Sequence, residues 1–190
     1  TKTVKIHLVA SLQPDLIIAN KEKNTKEDIE ELEKIAPVWI SDVFNIEDPL
    51  KMIQGIGEVT EKDQRAKELI SRIKKGFEEL RVLTSQKLNK KIRTAYLIWK
   101  DPYMTVGGDT FITDMLKVSG LGNVCDDLKR YPVTTTEELN KRNTELILLS
   151  TEPYPFKQKN IDELQEALPN AKILLADGEL FSWYGSRMLH

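Results

Sequence analysis

The sequence predicts an α/β protein of two Rossmann-like lobes with mainly parallel sheets, joined by one long backbone helix. Three observations predict it: short apolar runs separated by amphipathic stretches, one helical segment too long for a simple crossover, and a repeated unit on either side of that segment.

The apolar runs are Leu16 to Ala19, Val38 to Ile40, Ala95 to Trp99, Leu146 to Leu149 and Ile173 to Ala176. Runs apolar on both faces suit strands buried between helices, as in parallel sheets. Amphipathic segments alternate with them, the pattern of α/β folds. From about Glu61 to Leu88, Ala66, Leu69, Ile70, Ile73, Phe77 and Leu80 recur at helical spacing. A helix of that length runs to roughly 42 Å, against about 17–20 Å for a strand, so it reads as a connection between lobes. Thr60 is its expected N-cap, with Asp63 three residues on. Gly76 weakens its middle without ending it.

The repeat reads acid, buried strand, polar loop, amphipathic helix, strand. Asp15 with Leu16-Ile17-Ile18-Ala19, then Ile29-Glu30-Glu31-Leu32, then Val38 to Ile40 forms one copy; Glu145 with Leu146-Ile147-Leu148-Leu149, then Ile161-Asp162-Glu163-Leu164, then Ile173 to Ala176 forms the other. Such units also recur in unrelated α/β proteins; the matching order on both sides of the long helix favours two lobes. The expected divisions are a partial N-terminal lobe over 1–57, the interlobe helix over 58–92 and a C-terminal lobe over 93–190. Two strands make a marginal sheet, so the first lobe reads as incomplete, with its opening elements before Thr1. The expectation is that its open edge is mobile or is covered by another chain, self-association included.

Composition narrows the function classes. A net charge of −2 and a pI near 5.8 lack the basic footprint of a nucleic-acid binder. Cys125 is the single cysteine, which excludes an intramolecular disulfide and a cysteine metal cluster, and it reads as a small buried hydrophobe. His7 and His190 sit in no nucleophile motif, and two histidines are a poor set for a metal site. Gly107-Gly108-Asp109 has neither phosphate-loop pattern and reads as a turn before a helix from about Phe111. The expectation is no enzyme, no cofactor and no metal. No apolar run approaches the ~20 residues of a membrane span, and no signal region opens the chain.

Aromatics instead gather in polar, turn-rich stretches: Trp99, Tyr103 and Met104; Tyr131; Tyr154 and Phe156; Phe181, Trp183 and Tyr184. Just beyond strand ends they point to the carboxyl edge of an α/β sheet, where ligands bind. Each alone is equally compatible with core packing; together they describe a wall for a large, partly apolar ligand.

These stretches resemble the helical-backbone class of periplasmic substrate-binding proteins, in the branch serving cobalamin-type ABC importers. Leu12-Gln13-Pro14-Asp15-Leu16-Ile17-Ile18 resembles the family's L-K-P-D-L-V-I strand entry. Tyr103 to Gly107 followed by Phe111, then Val118-Ser119-Gly120-Leu121-Gly122-Asn123-Val124, resembles its ligand loop, helix and G-G-x-N-V turn. Tyr131-Pro132 with Thr135-Thr136-Glu137-Glu138-Leu139 resembles its docking helix. The resemblance implies a ligand between two lobes, faced by Tyr103, Met104, Tyr131, Glu179 and Trp183 from the second and by Asn20 from the first. It implies that Glu137 docks onto an arginine of the membrane permease. It implies a cobalamin or related tetrapyrrole as ligand, a permease and ATPase as partners, and a periplasmic or extracellular location with or without a lipid anchor. Two departures stand out: Asn20 replaces an aromatic, and His7 replaces the first lobe's docking glutamate. Haem or a ferric siderophore is the rival ligand; a non-transport sensor or scaffold and a two-lobed α/β enzyme are the rival classes.

Overall fold

The computed structural model describes residues 4–87 and 90–190. The chain forms two compact units, Thr1–Val43 and Phe44–His190. The division falls at Val43, before the boundary expected at residue 57, because two helices there pack together within the second unit.

The first unit holds helix α1 (Ile6–Ser11), strand β1 (Ile17–Asn20), helix α2 (Lys26–Leu32) and strand β2 (Val38–Ser41). The two strands pair in parallel, with Ile17 opposite Val38 and Asn20 opposite Ser41. Ala19, Ile29 and Leu32 are the centre of a small core that Val4, Ile6, Val9, Ile17, Ile35 and Val38 flank. Thr25 caps α2 by accepting the Asp28 N–H. Among the described residues this sheet has two strands and leaves Ile18 47% and Ile40 42% exposed. That is the open sheet expected of an incomplete lobe.

The second unit begins with helices α3 (Glu47–Val59) and α4 (Asp63–Lys87). Ala66, Ile73 and Phe77, on the predicted face of α4, are buried, and the helix runs through Gly76 without a break. The expected last residue, Leu88, lies outside the described residues. Thr60 is not its N-cap: it closes α3, donating its hydroxyl to the Ile56 carbonyl at 2.6 Å. Then follow β3 (Ile92–Leu97), α5 (Phe111–Val118), β4 (Leu121–Asn123), α6 (Thr136–Lys141), β5 (Leu146–Ser150), α7 (Gln158–Ala167), β6 (Lys172–Ala176), α8 (Gly178–Ser182) and a 3-10 turn over Gly185–Leu189. The sheet order is β4-β3-β5-β6, all parallel.

Alternation along the central strands sends side chains to two cores. Ala95, Leu97, Ile147 and Leu149 pack with Leu139 of α6 and Leu164 of α7. Tyr96, Leu146 and Leu148 pack with Ile112 and Leu116 of α5. Helices on both faces leave β5 buried throughout, which is why its sequence reads as an unbroken apolar run. Cys125 is fully buried, and burial pushes its thiol above the ordinary value.

The internal repeat extends to backbone detail. Gln13 and Asn143, each two residues before the opening acid, both sit at φ 49°. Each donates its N–H three residues back, to Ala10 and Asn140. Beyond the strands, Lys21 N–H donates to Ser41 and Thr151 N–H to Ala176, both at 3.0 Å. A left-handed residue costs roughly 1–2 kcal/mol unless it is Gly, or Asn with its local hydrogen bonding. Gln13→Gly is therefore expected to stabilise the first unit by about 0.5–1 kcal/mol, and Asn143→Gly to change the second by less. Native-state hydrogen exchange of the β1 and β5 amides measures both; equal effects at the two sites would contradict the account.

Candidate functional site

Because every strand of the larger sheet is parallel, all four carboxyl ends lie on one edge. The chain winds outward from β3 to β4 and, in the opposite direction, from β5 to β6. The loops after β3 and β5 therefore leave toward opposite faces and open a crevice between them, the usual ligand position in such sheets. The predicted aromatic stretches are these loops: residues 98–110 after β3, 124–135 after β4, 151–157 after β5, and α8 with its flanks after β6.

The first two loops are bound to each other. Thr105 N–H donates to Pro132 (2.9 Å), Thr134 N–H to Tyr103 (3.0 Å), Gly107 N–H to Arg130 (2.7 Å) and Gly108 N–H to Leu128 (2.9 Å). A Cβ on Gly107 would stand 2.5 Å from the Leu128 carbonyl oxygen, so the glycine permits this approach. Gly107-Gly108-Asp109 is thus more than the expected turn: it is half of a loop pair, and Asp109 accepts the Arg130 N–H at 2.5 Å. Asn123 donates to the Val106 carbonyl and the Thr113 hydroxyl, both at 2.8 Å. Arg142 ties the second loop down, donating to the Val124 carbonyl (2.7 Å) and the Asp127 carboxylate (2.5 Å). Its hydrogen bond lowers the Asp127 pKa from the ordinary value.

The loop aromatics separate into packed and open ones. Phe156 is 3% exposed. Phe181 packs on Tyr96 with centroids 5.2 Å apart, and Tyr184 meets Phe111 edge-on at 5.7 Å. Trp99 stands edge-on to Tyr154 at 5.7 Å, where the loops after β3 and β5 meet, and remains 41% exposed. Trp183 is 51% exposed. Both open indoles belong to this edge, where ligands bind in such sheets.

The structure brings some of the predicted residues together. Tyr103, Met104 and Tyr131 share the paired loops, with Met104 bridged to both Trp99 and Val133. The Arg130 guanidinium lies 5.5 Å from the Tyr131 ring centroid, and partial burial raises the Tyr103 phenol's pKa. Glu179 lies in α8 and Trp183 closes that helix, its backbone N–H donating to the Glu179 carbonyl at 3.0 Å. The Glu179 carboxylate is engaged by Arg187 at 3.0 Å. Asn20 belongs to the first unit, where its amide donates to the Ser41 hydroxyl (3.1 Å) and its oxygen accepts the Glu22 N–H (3.1 Å). Glu137 lies exposed in the first turn of α6, which Thr135 caps. Its own N–H and the Thr135 and Thr136 hydroxyls lower its pKa.

Sequence reasoning missed a buried polar chain. The Tyr96 hydroxyl donates to Ser150 at 3.0 Å, and Ser150 donates to the Glu152 carbonyl. Burial raises the Tyr96 phenol far above its ordinary value, so it stays a neutral donor. The available signal was Ser150, a polar residue closing the otherwise apolar β5. Among the described residues no three His, Cys, Asp or Glu side chains converge on a metal position, and no helix is long and apolar enough to cross a membrane. An open depression of about 520 Å³ lies among α3, α4 and α5 and is lined by Lys51, Arg81, Asp114 and Lys117, without an aromatic.

A doubly wound parallel sheet with aromatic side chains along its carboxyl edge is an arrangement in which ligands are commonly held. The periplasmic binding protein family model matches residues 1–171, and the chain belongs to that family. It is 24% identical over 150 residues to the vitamin B12-binding protein of Vibrio parahaemolyticus, covering 77% of this chain and 54% of that one. It is 24% identical over 151 residues to an uncharacterized ABC transporter substrate-binding lipoprotein of Bacillus subtilis, covering 76% and 48%. The chain thus spans about half the length of the curated relatives it matches. Its fold is similar to that of an apo periplasmic heme-binding protein from Roseiflexus, with a TM-score of 0.83, 16% identity, and coverage of 99% of this chain and 76% of that one.

Gly178 supports the edge by close approach: a Cβ there would stand 2.5 Å from both the Ser150 hydroxyl and the Glu152 Cγ. Gly178→Ala is expected to cost about 1–3 kcal/mol through overpacking, read as a lowered unfolding midpoint in denaturant at unchanged slope.

Proposed function

We propose that this chain is the ligand-capturing part of an extracytoplasmic substrate-binding protein, serving an ABC importer for a corrinoid-like ligand. The observation that carries the reading is the pair of open indoles, Trp99 and Trp183, on the carboxyl edge of the larger sheet. Rigid aromatic faces bury a large macrocycle at little entropic cost, having few torsions to freeze. Membership of the periplasmic binding protein family supports a binding rather than a catalytic role, and similarity to an ABC transporter substrate-binding lipoprotein supports a permease and an ATPase as partners.

Charge favours a corrinoid over an anionic siderophore. Two cations among these loops, Lys100 and Arg187, are already paired: Lys100 with Glu163, and Arg187 with Glu179 at 3.0 Å. Glu152 places a carboxylate against the Trp183 indole. Haem is the second reading, favoured by Arg130 beside Tyr131, where a phenolate could meet iron and a guanidinium a propionate.

Titration with cyanocobalamin, cobinamide and haemin separates the readings: tightest binding of a corrinoid is expected, and haemin binding alone would move the assignment to haem. Trp183→Ala is expected to weaken corrinoid binding by roughly 1–3 kcal/mol, as for a buried contact residue; unchanged affinity would remove Trp183 from the site. Glu137 is the proposed permease contact, a carboxylate suited to a bidentate arginine. In a reconstituted transporter Glu137→Ala is expected to impair delivery with affinity intact, whereas His7→Ala does little. Normal delivery by the Glu137 variant would return that residue to stabilising the first turn of α6.

A further inference from the structure

The proposed ligand wall depends on how Trp183 is held, because a half-exposed indole on a free side chain would rotate. The loop after β5 supplies the holder. Glu152 Oε1 accepts the Trp183 indole N–H at 2.5 Å and lies 3.1 Å from the Ser182 hydroxyl. Ser182 has one proton, and its shorter contact, 2.7 Å to the Gly178 carbonyl within α8, takes it. The indole is therefore the principal donor to this carboxylate, in a short, charge-assisted bond.

The residue that carries this carboxylate is itself anchored to the core. Ser150, 1% exposed at the end of β5, receives the buried Tyr96 hydroxyl and donates to the Glu152 carbonyl. Gly178 packs against Ser150 and the Glu152 side chain with no room for a Cβ, and its N–H donates to Thr151 at 3.0 Å. A line of contacts thus runs from the sheet interior to an exposed indole. Water would satisfy that N–H equally well, so the bond adds little to the fold. What it adds is a fixed ring, its N–H edge toward the protein and its face left open.

We propose that Glu152 is a positioning residue, clamping the Trp183 indole by its N–H edge so that the ring is pre-set to receive the ligand face. The ligand half of this rests on the function proposed above; the clamp does not.

The test labels the indole nitrogens with ¹⁵N in the whole protein and assigns the Trp183 resonance by its loss in Trp183→Phe. Glu152→Ala is expected to move that resonance toward the value of a water-exposed indole, leaving those of Trp39 and Trp99 in place. Glu152→Gln, whose amide oxygen still accepts the bond, is expected to keep it. With cyanocobalamin as probe, Glu152→Ala should bind about two- to tenfold more weakly, the cost of freezing one side chain, and Glu152→Gln within about twofold of the parent. A Trp183 resonance unmoved in Glu152→Ala, or an affinity equal to the parent's, overturns the proposal. So does a Gln variant as weak as the Ala one, which would make Glu152 a direct charge partner of the ligand. If Glu152→Ala does not fold, Glu152→Leu, closer in volume, provides the same readout. A parent that binds neither cyanocobalamin nor haemin would sink the proposed function, while the indole shift would still decide the clamp.

Discussion

The pairing of β3 with β5 at the middle of the larger sheet is the constraint on which the rest depends. Its residues, Thr94 to Leu97 against Leu146 to Leu149, are almost wholly out of water, and the two faces of the pair are the centres of both cores. The same pairing is where the winding direction reverses. Burial and the crevice therefore have one origin: helices must cover both faces of a parallel sheet, and covering both faces requires the loops after β3 and β5 to leave in opposite directions. Trp99 and Tyr154 meet there because each follows one of those strands.

A crevice is useful only if its loops keep their shape, and here polar contacts do that. The loops after β3 and β4 share backbone hydrogen bonds like a short sheet, Asn123 and Arg142 fasten them to α5 and α6, and Ser150 with Gly178 fastens the loop after β5 to the core. Aromatic packing of Tyr96 on Phe181 and of Phe111 on Tyr184 fixes the last segment. The aromatic residues left exposed in these loops, Trp99 and Trp183, are those the fold does not consume. Removing either costs little stability on this reading, which separates binding residues from structural ones.

The strands, the long helix and the repeat were readable because buried parallel strands and amphipathic helices leave strong periodic signals. β4 was not: Leu121–Asn123 is three residues long with Gly122 at its centre, and it is specified by its neighbour β3 rather than by its own composition. Helix α3 was hidden by Pro49, Gly55 and Gly57, although Pro49 in the first turn, after Glu47 and Asp48, is where a helix tolerates proline. The site was readable as an edge rather than as a set of contacts. Sequence placed the aromatics beyond the strand ends, but which rings pack and which stay open depends on contacts distant in the chain, such as Phe111 with Tyr184. Glu152 was missed for the same reason: its partner, Trp183, is set by the fold.

The repeat also shows how two equivalent positions diverge. His7 and Glu137 stand near the starts of α1 and α6, ahead of strand entries that match down to a left-handed residue. Yet α1 has no side-chain cap, while α6 is capped by Thr135. Capping and docking need not compete at Glu137. Its own N–H and the threonine hydroxyls lower its pKa, and its place at a helix N-terminus favours negative charge as well. A carboxylate offers about four lone-pair positions, so those contacts do not exhaust it. The helix start and the proposed docking contact thus favour the same charged form, and His7, lacking both the carboxylate and a capped helix, has no equivalent route.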